Sequence, residues 1–212
     1  MSSFVIFQKR LVSFTIMDKN VNQKRLVPFI IMDKNVNMIM ETPVGDITLT
    51  ADEEALSGVC FGRGAVSDAA ITGPAGEILR EAQRQLTEYF AGERREFDLR
   101  RLPIRLSGTE FTQQVGRAML MIPCGEVRTY GEMAAAIGRP AAARAVGGAC
   151  HRNPICIIVP CHRVVGAGGS LTGFGGGLAV KQWLLRHEGV LPVKNNRRNK
   201  WNNLKNVSVS FD

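Results

Sequence analysis

Cys161 and His162 stand side by side in NPICIIVPCHRVVGAGG, residues 153–169, between an apolar run and a glycine-rich loop. A thiol beside an imidazole is raw material for nucleophilic chemistry, because the thiolate is the reactive form of cysteine and a neighbouring base or cation favours it. Arg163 adds a positive charge next to the same sulfur. A cysteine after an apolar run is more often an inert core residue, so the pair alone does not decide. Its neighbours say more. Asn153-Pro154 fixes a turn before ICIIVP, and Pro160 ends the expected strand at the cysteine. In GAGGSLTGFGGG, 166–177, seven of twelve residues are glycine, an entropic cost that suggests a loop letting something pass close to its backbone. The next helix, LAVKQWLLRHEG, ends in His187, Glu188 and Gly189, and a carboxylate there could orient His162 as a third partner. Spacing leaves that open.

The elements that must position these residues are legible upstream. Thr109 can cap a helix whose Phe111, Val115, Ala118, Met119 and Ile122 fall at core spacing, with PCG as its breaker. Thr129-Tyr130-Gly131-Glu132 is a capping box opening YGEMAAAI; Gly138 ends that helix, and Pro140 stands at the first position of PAAARAVGGAC. Two short helices across a glycine turn make a helix-turn-helix. The second is nearly all Ala and Gly with one long side chain, Arg144. It reads either as an ordinary buried helix with Arg144 exposed, or as a thin helix whose backbone approaches a narrow groove with Arg144 as its probe. Further upstream, METPVGDITLTADEEALSGVCF alternates apolar and polar residues around turn signals, a β-meander. AGEILREAQRQLTEYFAG then puts Ile78, Ala82, Leu86, Tyr89 and Phe90 on one stripe, and REFDLRRL could return as a strand.

Composition bounds what these motifs can mean. The chain has 212 residues, 45% apolar and 22% charged, enough for one large or two small domains. The longest apolar run near the N-terminus, LVPFIIM, is too short to span a bilayer and has no cleavage signature, so neither secretion nor membrane insertion is expected. Five cysteines without CxxC pairs point to a reducing compartment. The net charge of +8 is uneven: 1–37 carries six Lys/Arg against two Asp, and 190–212 five against one Asp. Within the middle, 38–104 holds seven basic and twelve acidic residues, whereas 105–189 holds nine and four. Only that second half looks like a polyanion binder.

QKRLVSFTIMDKNVN at 8–22 recurs as QKRLVPFIIMDKNVN at 23–37, with Ser13 replaced by Pro28 and Thr15 by Ile30. Ten of the eleven asparagines lie in 1–37 and 190–212, and the one between them is Asn153. The expected organisation is a duplicated basic extension, 1–37, weakly ordered; a small α/β N-terminal domain, 38–104, with Met38 or Met40 as a plausible start; a mostly α C-terminal domain, 105–189, with a helix-turn-helix and a short strand leading to the cysteine; and a basic Asn-rich tail, 190–212, disordered.

GTEFTQQV, IPCGEVRTYGEMAAAIGRPAAARAVGGAC, RNPICIIVPCHRVVG and GGLAVKQWLLRHEG together resemble the 6-O-alkylguanine-DNA alkyltransferases, in family order over about 105–189. The stretch from TPVGDITL resembles that family's smaller domain more loosely, and both ends fall outside it. The resemblance implies repair of DNA by direct reversal: minor-groove binding through the helix-turn-helix, extrusion of the damaged base, and single-turnover transfer of its alkyl group from 6-O-alkylguanine or 4-O-alkylthymine to Cys161. It assigns His162 as the base acting through a water, Glu188 as the carboxylate orienting it, and Asn153 as their support. Arg144 fills the vacated stack, Tyr130 crowds the target phosphate, and Thr129, Ala143, Gly147 and Arg163 complete the DNA face. Tyr130, Val164, Phe174 and Gly175 line the substrate pocket. The implied partner is double-stranded DNA containing alkylated guanine, met by a monomer in the cytoplasm, or in the nucleus of a eukaryote, with no membrane and no cofactor.

Departures from the family pattern are also legible. Gly116 stands where tryptophan is usual, at about 1 kcal/mol in helix propensity and roughly 3–5 kcal/mol if a cavity is left. Phe174 replaces a frequent tyrosine. Some relatives carry zinc in the first domain, but here that half has one cysteine, Cys60, while His151, His162 and His187 all lie in the second, so no metal is expected. Three rivals remain: a thiol hydrolase, which usually draws Cys and His from distant positions; a plain helix-turn-helix regulator, which needs no Cys161; and a non-catalytic lesion binder, which would carry tryptophan at 161.

Overall fold

A computed structural model describes residues 11–16, 25–30, 35–65 and 71–190. The chain divides into two compact units, 1–34 and 35–212. In the first, β1 (Leu11–Ile16) pairs antiparallel with β2 (Arg25–Ile30), so the two copies of the duplicated segment meet as a ribbon with Ser13 opposite Pro28. The expected weak order of the rest of 1–34, and of the tail over 191–212, falls outside the described residues.

The second unit opens with a meander of β3 (Val36–Met40), β4 (Ile47–Ala51) and β5 (Leu56–Phe61), all antiparallel. Val36 and Asn37, from the end of the duplication, are thus the first strand residues of this unit. Alternation does the sorting: Ile47, Leu49 and Ala51 are fully buried on one face, whereas Thr48 uses its hydroxyl to donate to Gly62 O and accept from Gly64 N. Against the apolar face lies α1 (Gly73–Phe90), which buries Ile78, Leu79, Ala82, Leu86 and Tyr89. Each large side chain so buried contributes about 1.5–3 kcal/mol.

REFDLRRL does not return as a strand. The Gln85 side chain takes the backbone of Asp98 instead, accepting from its N–H at 2.8 Å and donating to its carbonyl at 3.2 Å. Asp98 O then accepts from the amides of Arg101 and Leu102, curling the segment into a turn. Sheet-like pairing resumes only at a parallel bridge between Ile104 and Leu56.

The larger lobe begins with α2 (Glu110–Leu120), capped by Thr109 accepting from Thr112 N. Gly116 leaves no hole. A Cβ there would stand 3.2 Å from Leu106 Cδ2, so Leu106 already fills the space beside the helix. Next come β6 (Arg128–Thr129), α3 (Tyr130–Ala136) with the expected capping box complete, and α4 (Ala143–His151). Pro140 opens a 3-10 turn over Pro140–Ala142 rather than α4 itself. The run leading to the cysteine is strand-like at a single point, where Ile155 bridges Val59 of β5. It then coils through Ile157, the one non-glycine at positive φ (72°) among the described residues. A β-branched residue there costs on the order of 1–3 kcal/mol, borne by a side chain that is fully buried. A 3-10 turn at Cys161–Arg163 leads into β7 (Val164–Val165), parallel to β6, and α5 (Gly177–His187) closes the unit. No helix among the described residues is long and apolar enough to cross a membrane.

Candidate active site

The coil from Asn153 to Cys161 folds back on its own first side chain. Asn153 Oδ1 accepts from Ile155 N, while its Nδ2 donates to Val159 O at 2.8 Å and to Cys161 Sγ at 3.2 Å. Cys161 is 4% exposed. Bonding from the Cys156 thiol, aided by Asn153 and by the ammonium of Lys181, holds the Cys161 thiol below the ordinary cysteine range although burial opposes this. The Cys156 thiol is pushed far up in return.

His162 is fully buried. Its Nε2 lies 2.8 Å from Glu188 Oε1, and because an ionised carboxylate only accepts, Nε2 carries the proton. Nδ1 is then the basic nitrogen; it is buried and has no hydrogen-bond partner among the described residues. Burial also pushes the His162 pKa down, with Glu188 pulling the other way. The ring is therefore a neutral base of defined tautomer, one residue from the sulfur.

Glu188 caps the C-terminal end of α5 and is itself buried. Besides His162, it accepts from Arg163 Nε at 2.9 Å, Arg163 Nη2 at 3.0 Å and Tyr89 Oη at 2.8 Å. Burial raises a carboxyl, but the bonds from His162 and Arg163 outweigh it and hold Glu188 at about 2. This corrects one expectation. Arg163 is not on the DNA face: it is 3% exposed, with its guanidinium committed to Glu188 and to Ile122 O. An arginine in that fork neutralises a buried carboxylate, which would otherwise be costly to hold without water.

The remaining expected residues lie around this core. Arg144 is exposed on α4, and Thr129 is occupied as the cap of α3. Gly147 faces Tyr130, whose ring would stand 3.7 Å from a Cβ there; Ala143 is half-buried at the start of α4. Tyr130 is half-buried and its hydroxyl accepts from Thr172 Oγ1 at 3.0 Å. Val164 is buried, and its carbonyl accepts from Lys181. Phe174 is half-buried and Gly175 exposed in the glycine-rich loop.

Three contributors were not singled out in the sequence. Lys181 is buried, its Nζ donating to Val164 O at 2.7 Å and Thr172 O at 3.2 Å, so it ties the loop to β7. The signal was available: Lys181, Leu184, Leu185 and Glu188 fall at i, i+3, i+4 and i+7, a charged residue in a core stripe. Cys156 carried no such mark, since a thiol in an apolar run reads as core. Tyr89 was placed on the buried stripe of α1, but nothing in the spacing joins it to Glu188. No group of three or more His, Cys, Asp or Glu among the described residues is arranged to hold a metal ion.

Comparison with known proteins points to one family. Residues 36–104 match the model of the 6-O-methylguanine DNA methyltransferase ribonuclease-like domain, and 110–190 that of the DNA binding domain of the same family. A methylated-DNA–protein-cysteine methyltransferase of Methanosarcina acetivorans is 52% identical over 155 residues, covering 71% of this chain and 96% of its own. The crystal structure of the Mycobacterium tuberculosis 6-O-methylguanine methyltransferase superposes with a TM-score of 0.63 at 42% identity, over 76% of this chain and 96% of that one. A structure of the M. tuberculosis OGT in complex with DNA gives 0.62 at 45% identity, over 71% and 90%. With both domain models matched in order around a buried Cys161 and its His162–Glu188 pair, the chain belongs to the methylated-DNA–protein-cysteine methyltransferase family.

Proposed function

We propose that this protein removes alkyl groups from 6-O-alkylguanine, and from 4-O-alkylthymine, in double-stranded DNA by transferring them to Cys161, once per molecule. The observation that carries the reading is the buried line from Glu188 to His162 Nε2, which leaves Nδ1 as the basic nitrogen on the residue next in sequence to Cys161, whose sulfur is held by Asn153. The Cys161 thiol gives its proton to His162 through a water, and the thiolate attacks the alkyl carbon. A C–S bond forms as the C–O bond breaks, the electron pair goes to the base oxygen, and a proton restores the base. A thioether has no ready leaving path, so the protein is consumed.

A thiol this deep cannot reach a stacked base, and the reading therefore includes base extrusion, at roughly a few kcal/mol. The thin α4 lets its backbone approach the minor groove, Arg144 occupies the vacated stack, and Tyr130 crowds the phosphate so that the nucleotide rotates out. A relative of this fold has been solved in complex with DNA. The excess of basic over acidic residues in 105–189 suits a polyanionic partner. The test is to mix the protein with a duplex containing 6-O-methylguanine and map the modified peptide by mass. One methyl on Cys161, with transfer abolished in Cys161→Ala, is the expected result; methylation elsewhere, or continued turnover by one molecule, refutes the reading.

A further inference from the structure

The glycine-rich loop is the obvious place to look for close approach, and two of its glycines are crowded without a backbone reason: Gly166, where a Cβ would collide with Ser170 Oγ of the same loop, and Gly176, which is crowded by a side chain from outside it. Gly173 and Gly175 have open space where a Cβ would be. Gly177 has φ +85°, which accounts for glycine there. Gly176 is different. Its φ of −84° suits any residue, yet a Cβ would stand 2.6 Å from Phe61 Cδ2 and 2.8 Å from Cε2. The glycine is there because the Phe61 ring lies against the chain.

Phe61 is the last residue of β5, in the smaller lobe, and its register is fixed by pairing with Ile47. The same ring meets Phe174 edge-on, with centroids 5.4 Å apart at 61°. Such a pair contributes about 0.5–1.5 kcal/mol beyond area burial, enough to bias where a loop sits. The far side of the loop is held from the larger lobe, Thr172 by Tyr130 and by Lys181. The segment that carries the expected pocket residues is therefore clamped from both lobes, and Phe61 is the clamp on the sheet side.

We infer that Phe61 is a specificity-determining positioning residue: by seating on Gly176 and against Phe174, it sets how far the pocket wall stands from Cys161 and hence what size of alkyl group is accepted. The inference rests on the alkyl-transfer reading above and assigns the smaller lobe a part in substrate choice. Removing the ring frees Phe174 to move outward, which admits larger groups and loosens the grip on small ones. Adding a Cβ at position 176 displaces the same contact from the other side.

The experiment measures single-turnover transfer from two duplexes of the same sequence, one containing 6-O-methylguanine and one 6-O-benzylguanine, for the unmodified chain, Phe61→Ala, Phe61→Leu, Gly176→Ala and the double variant Phe61→Ala/Gly176→Ala. The expected result is a rise in the benzyl-to-methyl ratio of roughly tenfold in Phe61→Ala, the scale on which a hydrophobic pocket discriminates small changes in substrate size. The smaller change in Phe61→Leu should follow it in direction. Gly176→Ala should shift the ratio, and the double variant should behave as Phe61→Ala alone, since the obstructing ring is gone. A merely structural role lowers both rates together. Parallel losses with an unchanged ratio, or additive effects in the double variant, overturn the inference. Absence of transfer to Cys161 in the unmodified chain overturns the underlying reading and this inference with it.

Discussion

The hydroxyl of Tyr89, on the helix of the smaller lobe, donates to Oε1 of Glu188 at 2.8 Å, the same oxygen that meets His162 Nε2. The carboxylate that orients the base is thus held across 99 residues of sequence. His187 reinforces the junction, its ring nitrogen lying 2.6 Å from Tyr89 O.

Tyr89→Phe should keep the ring and its packing while removing one donor to a buried carboxylate. The expected loss of stability is about 1.5–3 kcal/mol, the range for hydrogen bonds to charged groups. Transfer to Cys161 should slow, because His162 loses part of its alignment. Thermal unfolding and single-turnover rates measure the two effects; a variant indistinguishable from the parent in both would show that the Tyr89 contact does not matter.

The polar core predicts a pH profile. Glu188 sits at about 2 in the fold against an ordinary 4.5. A folded value below the unfolded one contributes stability that is complete above pH 4.5 and is lost as the pH falls towards 2, about 3 kcal/mol in all. The His162 value is depressed below 6.5 by burial, so its contribution is present above that pH and is lost below it. From these two groups, stability should fall in stages as the pH drops below 6.5. Transfer should persist below pH 6.5, because the ring remains a neutral base there. A His162 ring whose own NMR signals titrate at or above 6.5 would contradict the buried, neutral imidazole.

Glu188→Gln should be far more damaging than Tyr89→Phe. It leaves the guanidinium of Arg163 buried without its counter-charge, a loss of about 3–5 kcal/mol, and leaves a single amide oxygen to accept from both His162 and Arg163 where the carboxylate offered two, so the His162 tautomer is no longer fixed. Equilibrium unfolding should show the loss. Adding Arg163→Met, which removes the stranded charge, should recover part of the stability but none of the transfer rate.

Arg144→Ala should slow transfer from duplex DNA much more than transfer from a free alkylated base, since a free base needs no extrusion. The exposed side chain makes no contribution to the core, so unfolding should be unchanged. Equal losses on both substrates would place Arg144 in the fold or the chemistry.

Gly116→Trp, which restores the residue usual in the family, should destabilise this chain rather than rescue it. Leu106 occupies the space that the indole would need. Overpacking of this kind costs about 1–3 kcal/mol, and Leu106→Ala added to the same chain should recover much of the loss in a thermal melt.

Local chemistry made much of this protein legible in one dimension. The capping box at Thr129, the glycine turn and the small residues of α4 announce a helix-turn-helix because caps and turns act over a few residues. Cys161, His162 and Asn153 could be named together because the stretch that joins them spans only ten positions. Tertiary structure decided what depends on direction and burial. Arg163 looked like a surface cation until the 3-10 turn at the cysteine aimed it inward at Glu188. REFDLRRL had the pattern of a strand, but Gln85 claimed its backbone first. Gly116 suggested a cavity, and whether one exists was settled by Leu106, ten residues away, in a segment with no periodic signal. The crowding at Gly176 came from Phe61, more than a hundred residues upstream. Sequence spacing reports which side chains share a helix face or a turn, whereas contacts between lobes form only when both have folded, and no local pattern encodes them.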